Sequence, residues 1–170
     1  MRWLGALLVL VSLTAVGFDW ARRLSGRSRQ IRQLSTALQM LEAEVMYGHT
    51  PLPVISRKLE QTLESPLSRI FATFAHVLET ESTDVKEAWD RSIEWHWSST
   101  ALRHKEKEAL FQFGQTLGRH GREEQRKYIQ LTLAHLRSEE FEAIEDQRKY
   151  EKMAKSLGFL GGLLAIIVMI

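Results

Sequence analysis

Residues 29–52 read RQIRQLSTALQMLEAEVMYGHTPL, and this stretch decides the fold class. Its apolar residues recur at steps of three and four, the spacing that places side chains on one face of an α-helix. Those residues are Ile31, Leu34, Leu38, Leu41 and Val45. The pattern predicts a helix that ends near Gly48. Thr50 and Pro51 then predict the start of a second helix, with a cap followed by proline at the first helical position.

The same spacing continues toward the C-terminus, and no segment shows the sustained alternation of a β-strand. Asp84 and Glu87 form a capping-box pattern at a predicted helix start. A fifth helix is expected over about 103–117, ended by Gly118, and a long sixth helix after Gly121. The apolar positions of the middle helices are Ile55, Leu59, Leu63, Ile70, Phe71, Phe74, Val77, Leu78, Val85, Ala88, Trp89 and Ile93.

Six predicted helices in about 130 residues can bury a hydrophobic core of their own. The sequence therefore predicts an all-α protein, a membrane-anchored compact bundle of about six helices with a transmembrane helix at each end. The predicted domains are an N-terminal transmembrane helix with its flank at 1–23, a cytoplasmic helical bundle at 24–152, and a C-terminal transmembrane helix at 153–170.

The N-terminal segment 1–23 is apolar enough to span a bilayer. Asp19 is the only charged residue between Trp3 and Trp20, and the two tryptophans stand where an aromatic belt would lie. A cleaved signal peptide, with small residues at 15–17, is the alternative interpretation. We favour the anchor because an arginine-rich stretch follows directly, and such a cluster resists translocation.

The C-terminal segment ends in the stretch 157–170, which has neither a charge nor a polar side chain. As a helix this stretch covers about 21 Å, less than the roughly 30 Å of the hydrocarbon core. We therefore expect the span to begin at Met153, with Lys155 reaching back to the lipid headgroups. A buried core helix is the alternative, although no polar face is available to it.

Basic residues flank both apolar segments on the side of the bundle. The positive-inside rule then places residues 24–152 in the cytoplasm and both termini across the membrane, as in a two-pass membrane protein. Nucleic-acid binding by the arginine cluster is the alternative, but lipid headgroups are the nearer phosphates. The predicted lipid-flanking residues are Arg22, Arg23, Arg27, Arg29, Arg32, Lys149, Lys152 and Lys155.

Composition and motifs argue against several kinds of chemistry. The 170 residues include no cysteine, which excludes a disulfide scaffold, a thiol nucleophile and thiolate metal ligands. None of the 6 histidines lies three or four residues from another, and HExxH, Walker A, GxGxxG and GxSxG motifs are missing. We therefore predict no catalytic residue, no cofactor and no metal, and a protein that is not an enzyme.

An acidic block lies in the long last helix. Its members are Glu139, Glu140, Glu142, Glu145 and Asp146. Such a block is often a solvated helix face, but it can also steer a basic partner into place. We take it as a candidate docking surface, with the solvated face as the alternative.

Four stretches resemble the signature of the stage III sporulation protein AB family. They are RQIRQL at 29–34, LEAEVMYGHTPL at 41–52, QFGQTLG at 112–118 and EKMAKSLGFL at 151–160. The likeness runs in order along nearly the full chain. Ser28 and Gly121 depart from the residues usual in the family at those positions.

The resemblance implies a component of the channel-like complex between mother cell and forespore in endospore-forming bacteria. The soluble domain of the family is similar to the cytoplasmic domains of the platform protein of type II secretion and type IV pilus machines, which contact an ATPase. By this fold-level analogy the partners are the mother-cell membrane, stage III sporulation protein AA as the expected ATPase, and other members of the channel complex. No nucleic acid is expected, and homo-oligomerisation stays open.

The signature residues have two interpretations under this resemblance. Tyr47, Gly48, Thr50 and Pro51 either set the angle between the first two helices or form a contact surface. The remaining three, Phe113, Gly114 and Gly118, are expected to serve tight packing and helix termination. The function implied is a non-enzymatic membrane platform coupled to a cytoplasmic ATPase. A membrane-tethered helical adaptor or regulator of a soluble partner, without a transport role, is the alternative.

Overall fold

The first helix, α1, is built on the apolar stripe that the sequence displays. In the computed structural model it is helical over residues 26–44 and 46–47. Ile31, Leu34 and Leu38 on its inner face are buried. The helix ends before Gly48, as predicted, whereas Val45 lies outside the described residues. The structure describes residues 26–44, 46–48, 50–117 and 121–169, except for the side chains of 122, 151, 154, 155 and 157–169.

Five further helices and a short 3₁₀ helix follow α1. They are α2 (Leu52–Thr62), α3 (Leu67–Thr80), α4 (Val85–His96), the 3₁₀ helix (Trp97–Ser99), α5 (His104–Gly114) and α6 (Arg122–Met169). No β-strand occurs in the described part of the chain. The prediction of an all-α bundle of about six helices is confirmed.

Short connections and ion pairs indicate that each helix runs antiparallel to the one before it. Within each pair of neighbouring helices, the end of the first helix is joined to the start of the second by a short connection, and ion pairs also join the sides of the two helices. The bridging pairs are Arg29–Glu64 and Lys58–Glu44 between α1 and α2, Arg57–Glu79 between α2 and α3, Arg91–Glu81 between α3 and α4, Lys107–Glu94 between α4 and α5, and Lys105–Glu142 between α5 and α6. The helices therefore alternate in direction through the bundle.

The first and last helices also pack against each other. Their side-chain hydrogen bonds join Ser28 to Gln147 at 3.5 Å, Arg32 to Glu140 at 3.0 Å, and Glu42 to Gln130 at 3.0 Å. Residue numbers rise along α1 as they fall along α6, so this pair is antiparallel as well. We call the end with Ser28 and Gln147 the base of the bundle, and the opposite end, with Gly48 and Gln125, the tip.

The core is centred on Trp89 of α4. Its indole ring meets three phenylalanine rings edge to face, with centroid distances of 5.7 Å to Phe71, 5.1 Å to Phe74 and 5.7 Å to Phe113. The indole Nε1 donates a 2.8 Å hydrogen bond to the carbonyl oxygen of Leu110. Such edge-to-face pairs add to the stabilisation that burial provides. Trp89 therefore ties α3, α4 and α5 into one core.

Two helix boundaries differ from the prediction. Helix α2 begins at Leu52 instead of Pro51, and no side chain caps it. The end of α5 is Gly114 instead of residue 117, because a turn occupies residues 115–117. Gly118, predicted to end this helix, lies outside the described residues.

The capping interactions also differ. Asp84 is the N-cap residue of α4, as predicted, but its side chain makes no capping hydrogen bond. A capping carboxylate occurs instead at α5, where Glu106 accepts a 2.9 Å hydrogen bond from the backbone N–H of Arg103. Glu106 can do this because it stands at the third helical position, where the side chain reaches back to the N-cap.

Helix α6 has 48 residues. Beyond Gln147, which contacts Ser28 of α1 at the base, the helix continues for about 33 Å. Among the described residues, no helix combines the length and the apolar character that a membrane crossing requires. The predicted segment 1–23 and the side chains of 157–169 lie outside the described residues. The two transmembrane helices therefore stay predictions.

Candidate functional site

The signature turn joins α1 to α2 at the tip and is held by Glu44. The backbone N–H of Gly48 donates to the Glu44 carbonyl oxygen at 2.9 Å, and the Thr50 hydroxyl donates to Glu44 Oε2 at 2.7 Å. The Thr50 hydrogen bond, followed by the nearby Lys58 ammonium, holds the pKa of Glu44 below its usual value. The N-cap residue of α2 is Pro51 and no side chain caps the helix, so the predicted capping role of Thr50 is wrong.

Gly48 is required by the close approach of the Glu44 backbone. A Cβ atom at position 48 would lie 2.9 Å from the Glu44 carbonyl oxygen and 3.1 Å from its Cα. Because these are backbone atoms, a side chain at this position could be accommodated only by opening the turn. This geometry supports the interpretation that the signature turn sets the angle between α1 and α2.

A cavity of about 230 Å³ lies directly beneath the signature turn. Its walls come from the ends of four helices and from the segment after α5, and they comprise Leu41, Glu44, Gly48, Thr50, Leu52, Ile55, Phe113, Thr116, Leu117, Gln125 and Ile129. Tyr47, 87% exposed, and Val54, 48% exposed, belong to the same turn and to the start of α2. Two stretches of the family signature, 41–52 and 112–118, thus meet at the tip, next to exposed apolar side chains.

The second group of signature residues serves internal packing. Phe113 is buried against the Trp89 ring, and Gly114 is the last residue of α5. A Cβ atom on Gly114 would meet the indole, with Nε1 only 3.0 Å away and Cγ 3.2 Å away. Three phenylalanine rings contact the indole and leave it little room to move aside. Glycine at position 114 therefore lets α5 approach Trp89 closely.

A cluster of charges lies inside the base of the bundle. Arg27, 2% exposed, donates from Nε to Glu106 Oε1 at 2.7 Å and from Nη2 to Glu139 Oε2 at 2.8 Å. Glu142 Oε1 lies 3.7 Å from Arg27 Nη1, and Asp146 Oδ2 lies 4.0 Å from it. The structure thus places Arg27 against carboxylates of α5 and α6, not against lipid headgroups as the sequence predicts. The physical reason is that its position on α1 faces inward.

The acidic block is largely paired within the chain. Glu139 is buried against Arg27, and Asp146 lies 3.0 Å from Arg103. Glu142 lies 3.0 Å from the Lys105 ammonium, which is the largest cause of its lowered pKa, and the same contact raises the pKa of Lys105. Glu139 thus neutralises the buried Arg27, whereas Glu142 and Asp146 pair with the exposed cations Lys105 and Arg103. Docking of a partner by the acidic block stays a prediction.

The remaining members of the block are Glu140 and Glu145. Glu140 lies 3.0 Å from Arg32, and Glu145 is exposed. Glu145 is thus the member whose side chain the described structure leaves most open to a partner.

The other predicted lipid-flanking residues lie at the base or beyond it. Arg29 and Arg32 are exposed on the first turns of α1, where they pair with Glu64 and Glu140. Lys149 and Lys152 are exposed on α6 beyond its contact with α1. The side chains of Arg22, Arg23 and Lys155 lie outside the described residues.

Sequence analysis missed Glu106, Arg103 and Lys105 as members of the base cluster. Glu106 stands on the same helical face as the buried residues Ala109 and Phe113, and this spacing was a signal for a buried charge. Its partner could not be identified, because Arg27 is 79 residues away in the sequence.

The described residues show no group of three or more histidine, aspartate or glutamate side chains placed to hold a metal ion. A second cavity, of about 340 Å³, lies on the side of the bundle between α5 and α6. It is lined by Lys105, Glu108, Ala109, Gln112, Leu131, Thr132, Ala134 and His135. That the protein is not an enzyme stays a prediction.

The family described as stage III sporulation protein AB matches residues 2–170. Stage III sporulation protein AB of Bacillus subtilis (strain 168) is 46% identical over 169 residues, which cover 99% of each chain. A solved structure of a stage III sporulation protein AB superposes with a TM-score of 0.70 at 45% identity, covering 73% of this chain and 98% of that one. The protein therefore belongs to the stage III sporulation protein AB family.

Proposed function

We propose that the protein is a two-pass, non-enzymatic platform of the mother cell–forespore channel complex. The transmembrane segments hold the bundle at the mother-cell membrane, and the bundle contacts a cytoplasmic ATPase, stage III sporulation protein AA. Membership of the sporulation family supports the setting. The contact with the ATPase is proposed by analogy of fold, because the family resembles secretion platform proteins.

The observation that carries this proposal is the contact between Ser28 and Gln147 at the base. The apolar segment 1–23 precedes α1 at this end, and α6 leaves the bundle at the same end toward 153–170. Two apolar segments that leave a bundle side by side can enter one membrane without strain in the domain between them. Segments leaving opposite ends could not do so.

The charge distribution supports a cytoplasmic bundle. Arg29 on α1 and Lys149 and Lys152 on α6 are exposed at or beyond the base. Basic residues next to a membrane segment favour the cytoplasmic side and attract anionic headgroups. With both segments flanked in the same way, the bundle is on the cytoplasmic side and both termini lie on the far side.

A topology reporter tests the orientation. A fluorescent protein and an alkaline phosphatase are inserted in turn at Ser99, an exposed residue of the 3₁₀ helix. We expect fluorescence and no phosphatase activity, because the bundle stays in the cytoplasm. Phosphatase activity would reverse the orientation, and recovery of the full chain in the aqueous fraction without detergent would contradict the membrane anchors.

The platform and the tethered adaptor differ in their need for the second membrane segment. Deletion of 157–170 should abolish sporulation if the chain is a two-pass platform, although the bundle remains intact. A tethered adaptor would keep its function, since segment 1–23 still holds it at the membrane. Spore counts, with membrane fractionation to show that the truncated chain is present, distinguish the two.

A further inference from the structure

We propose that the buried charge cluster at the base fixes the axial position of α6 against α1, and that this is its role in place of added stability. The cluster consists of Arg27 on α1, Glu106 on α5 and Glu139 on α6. It therefore joins the helix that follows segment 1–23 to the helix that leads to 153–170. The positioning of the two helices does not depend on the proposed function, whereas its consequence for the membrane segments rests on it.

The three charged side chains of the cluster are enclosed by the bundle. Arg27 is 2% exposed, Glu106 is 0% exposed and Glu139 is 5% exposed. In the described part of the chain no other charged side chain is buried. The Arg27 guanidinium donates to Glu106 at 2.7 Å and to Glu139 at 2.8 Å, so one arginine holds carboxylates from two other helices. Such buried charges tolerate few positions, because each must keep its partner within hydrogen-bond distance.

The cluster is poorly suited to a purely stabilising role. The Nη1 nitrogen of Arg27 is buried and has no hydrogen-bond acceptor among the described residues. Two carboxylate oxygens, Oε1 of Glu142 and Oδ2 of Asp146, lie 3.7 Å and 4.0 Å from it. Moving charges out of water costs free energy that their attraction often only offsets, and well-packed apolar residues of similar volume are often as stable. A buried charge cluster can instead add specificity, because an incorrect arrangement leaves a charge unpaired.

The apolar contacts of α6 repeat along the helix and do not by themselves select one axial position. Its buried apolar residues Ile129, Leu136 and Ala143 recur every seven residues. The buried face of α1 likewise repeats at steps of three and four residues. A helix with such a repeat can meet an apolar neighbour in more than one register, and in helical assemblies a buried polar residue can select one of them. The buried charges are therefore the side chains that distinguish one register from the next.

A shift of α6 by one helical turn would break the cluster. One turn is about 5.4 Å along the axis, which exceeds the length of a hydrogen bond. Glu139 would move away from Arg27 and from Lys105, whose ammonium lies 3.4 Å from it. A shift toward the tip would leave Glu139 inside the bundle as an unpaired carboxylate. The same shift would separate Glu142 from Lys105, which lie 3.0 Å apart, so the observed position of α6 is favoured over the position one turn away.

The axial position of α6 matters because this helix continues toward the C-terminal apolar segment. It reaches Met169 as one helix, so an axial displacement inside the bundle is passed on to 153–170. With both apolar segments in one membrane, a shift of one turn would displace one segment against the other by about 5.4 Å, in a hydrocarbon core of roughly 30 Å. Such a mismatch costs free energy. The cluster thus holds the two membrane segments at matched depth.

The charge-neutral variant removes all three buried charges by Arg27→Met, Glu106→Gln and Glu139→Leu. Glutamine at position 106 keeps a side-chain oxygen for the backbone N–H of Arg103, which donates to Glu106 at 2.9 Å. We expect its melting temperature to lie no more than about 3 °C below that of the wild type, because no charge is left unpaired. Arg27→Met alone should lower the melting temperature by about 6 °C or more, because both carboxylates then lack the guanidinium.

Spin labels report the axial position of α6. The chain has no cysteine, so Thr36→Cys on α1 and Lys127→Cys on α6, both exposed, carry one label each. Pulsed electron paramagnetic resonance of the full chain in detergent micelles measures the distance between the labels. We expect one narrow distance distribution in the wild-type background. The charge-neutral variant should give a broader distribution or a second maximum, because α6 can then occupy positions about one turn, or 5.4 Å, apart.

The matched control removes an exposed ion pair at the same end of the bundle by Arg29→Met with Glu64→Gln. These side chains are 64% and 58% exposed, so neither the distance distribution nor the melting temperature should change measurably. The positioning role would be overturned by the wild-type distribution in the charge-neutral variant or by a broad distribution in the control. It would also be overturned if the charge-neutral variant melted as low as Arg27→Met alone or failed to fold. The reporter at Ser99 decides the membrane orientation separately from all of these outcomes.

Discussion

Gly114 shows how one residue without a side chain can determine the packing of three helices. Its Cα faces the Trp89 indole, which is already in contact with phenylalanines from α3 and α5. Dense cores transmit such a contact, because no neighbouring void can absorb an added methyl group.

Gly114→Ala is therefore expected to destabilise the bundle. The added methyl group would force the indole or α5 to shift, at a cost of about 1–3 kcal/mol in the free energy of unfolding. Gly121→Ala is the matched control, because a Cβ atom there meets nothing within 4 Å, and it should change stability by less than about 0.5 kcal/mol. Denaturant unfolding of both variants in mild detergent measures the difference, and equal stabilities would refute the packing argument.

Arg27 and the nearby Arg29 differ in burial, and this difference gives a second prediction. Arg27→Met removes the buried partner of Glu106 and Glu139. In the described part of the chain, Glu106 then has no cation beside it and Glu139 has only the exposed Lys105, 3.4 Å away, so the loss should cost about 3–5 kcal/mol. Arg29→Met, two residues away, removes a cation that is 64% exposed, and its loss should cost no more than about 1 kcal/mol. The same unfolding measurement compares them. A small effect at Arg27 would mean that water enters the cluster.

The burial of some residues could be predicted from the sequence, whereas the partners of others could not. The inward face of α1 followed from the spacing of Ile31, Leu34 and Leu38, because helical periodicity is a local property. Arg27, four residues before Ile31, lies on that same face, yet its proximity to the membrane segment dominated the interpretation. Its carboxylate partners come from α5 and α6, and such distant pairings depend on tertiary structure that no local pattern contains.

The pairing of α1 with α6 brings the first and last parts of the bundle together. The order of the helices and their approximate bounds could be predicted from apolar periodicity, proline and glycine, whereas the end of α5 could not be predicted in this way. The sequence places a suitable stop at Gly118, but the helix ends at Gly114. A sequence signal for a helix end acts only locally. The packing of Gly114 against Trp89 decides where α5 actually ends.

Chemical cross-linking checks the antiparallel pairing of these two helices. The chain contains no cysteine, so Ser28→Cys and Gln147→Cys introduce the only two thiols. A short bismaleimide should join them, because the native side chains lie 3.5 Å apart. Ser28→Cys with Gln130→Cys should not be joined, since residue 130 lies about 25 Å farther along α6. Gel mobility after protease cleavage between the two positions reports the outcome, and joining of the control pair alone would reverse the helix direction.

Surface carboxylates link neighbouring helices at both ends of the bundle. Four of them have a pKa below the usual 4.5, caused first by a hydrogen bond from Thr50, Arg57, Arg91 or Lys105. These carboxylates are Glu44, Glu79, Glu81 and Glu142. Because their folded pKa lies below the unfolded one, their stabilisation is complete above pH 4.5 and is lost as pH falls through the folded values.

The bundle should therefore lose stability under acid conditions. We expect the free energy of unfolding to decrease steadily below pH 4.5, and 1 M salt to reduce the decrease because these pairs are exposed. Glu142→Gln should make the pH dependence shallower. Thermal unfolding between pH 3 and pH 7 provides the measurement, and a pH dependence of the opposite sign would show that the carboxylates repel each other more than they attract the cations.

The alternation of helix directions has a consequence for the whole chain. The polypeptide crosses the bundle an even number of times, so its exit is on the side of its entrance. Insertion or loss of a single helix would make that number odd and send the last segment out on the opposite side. Growth of this fold is therefore restricted to helical hairpins, added two helices at a time.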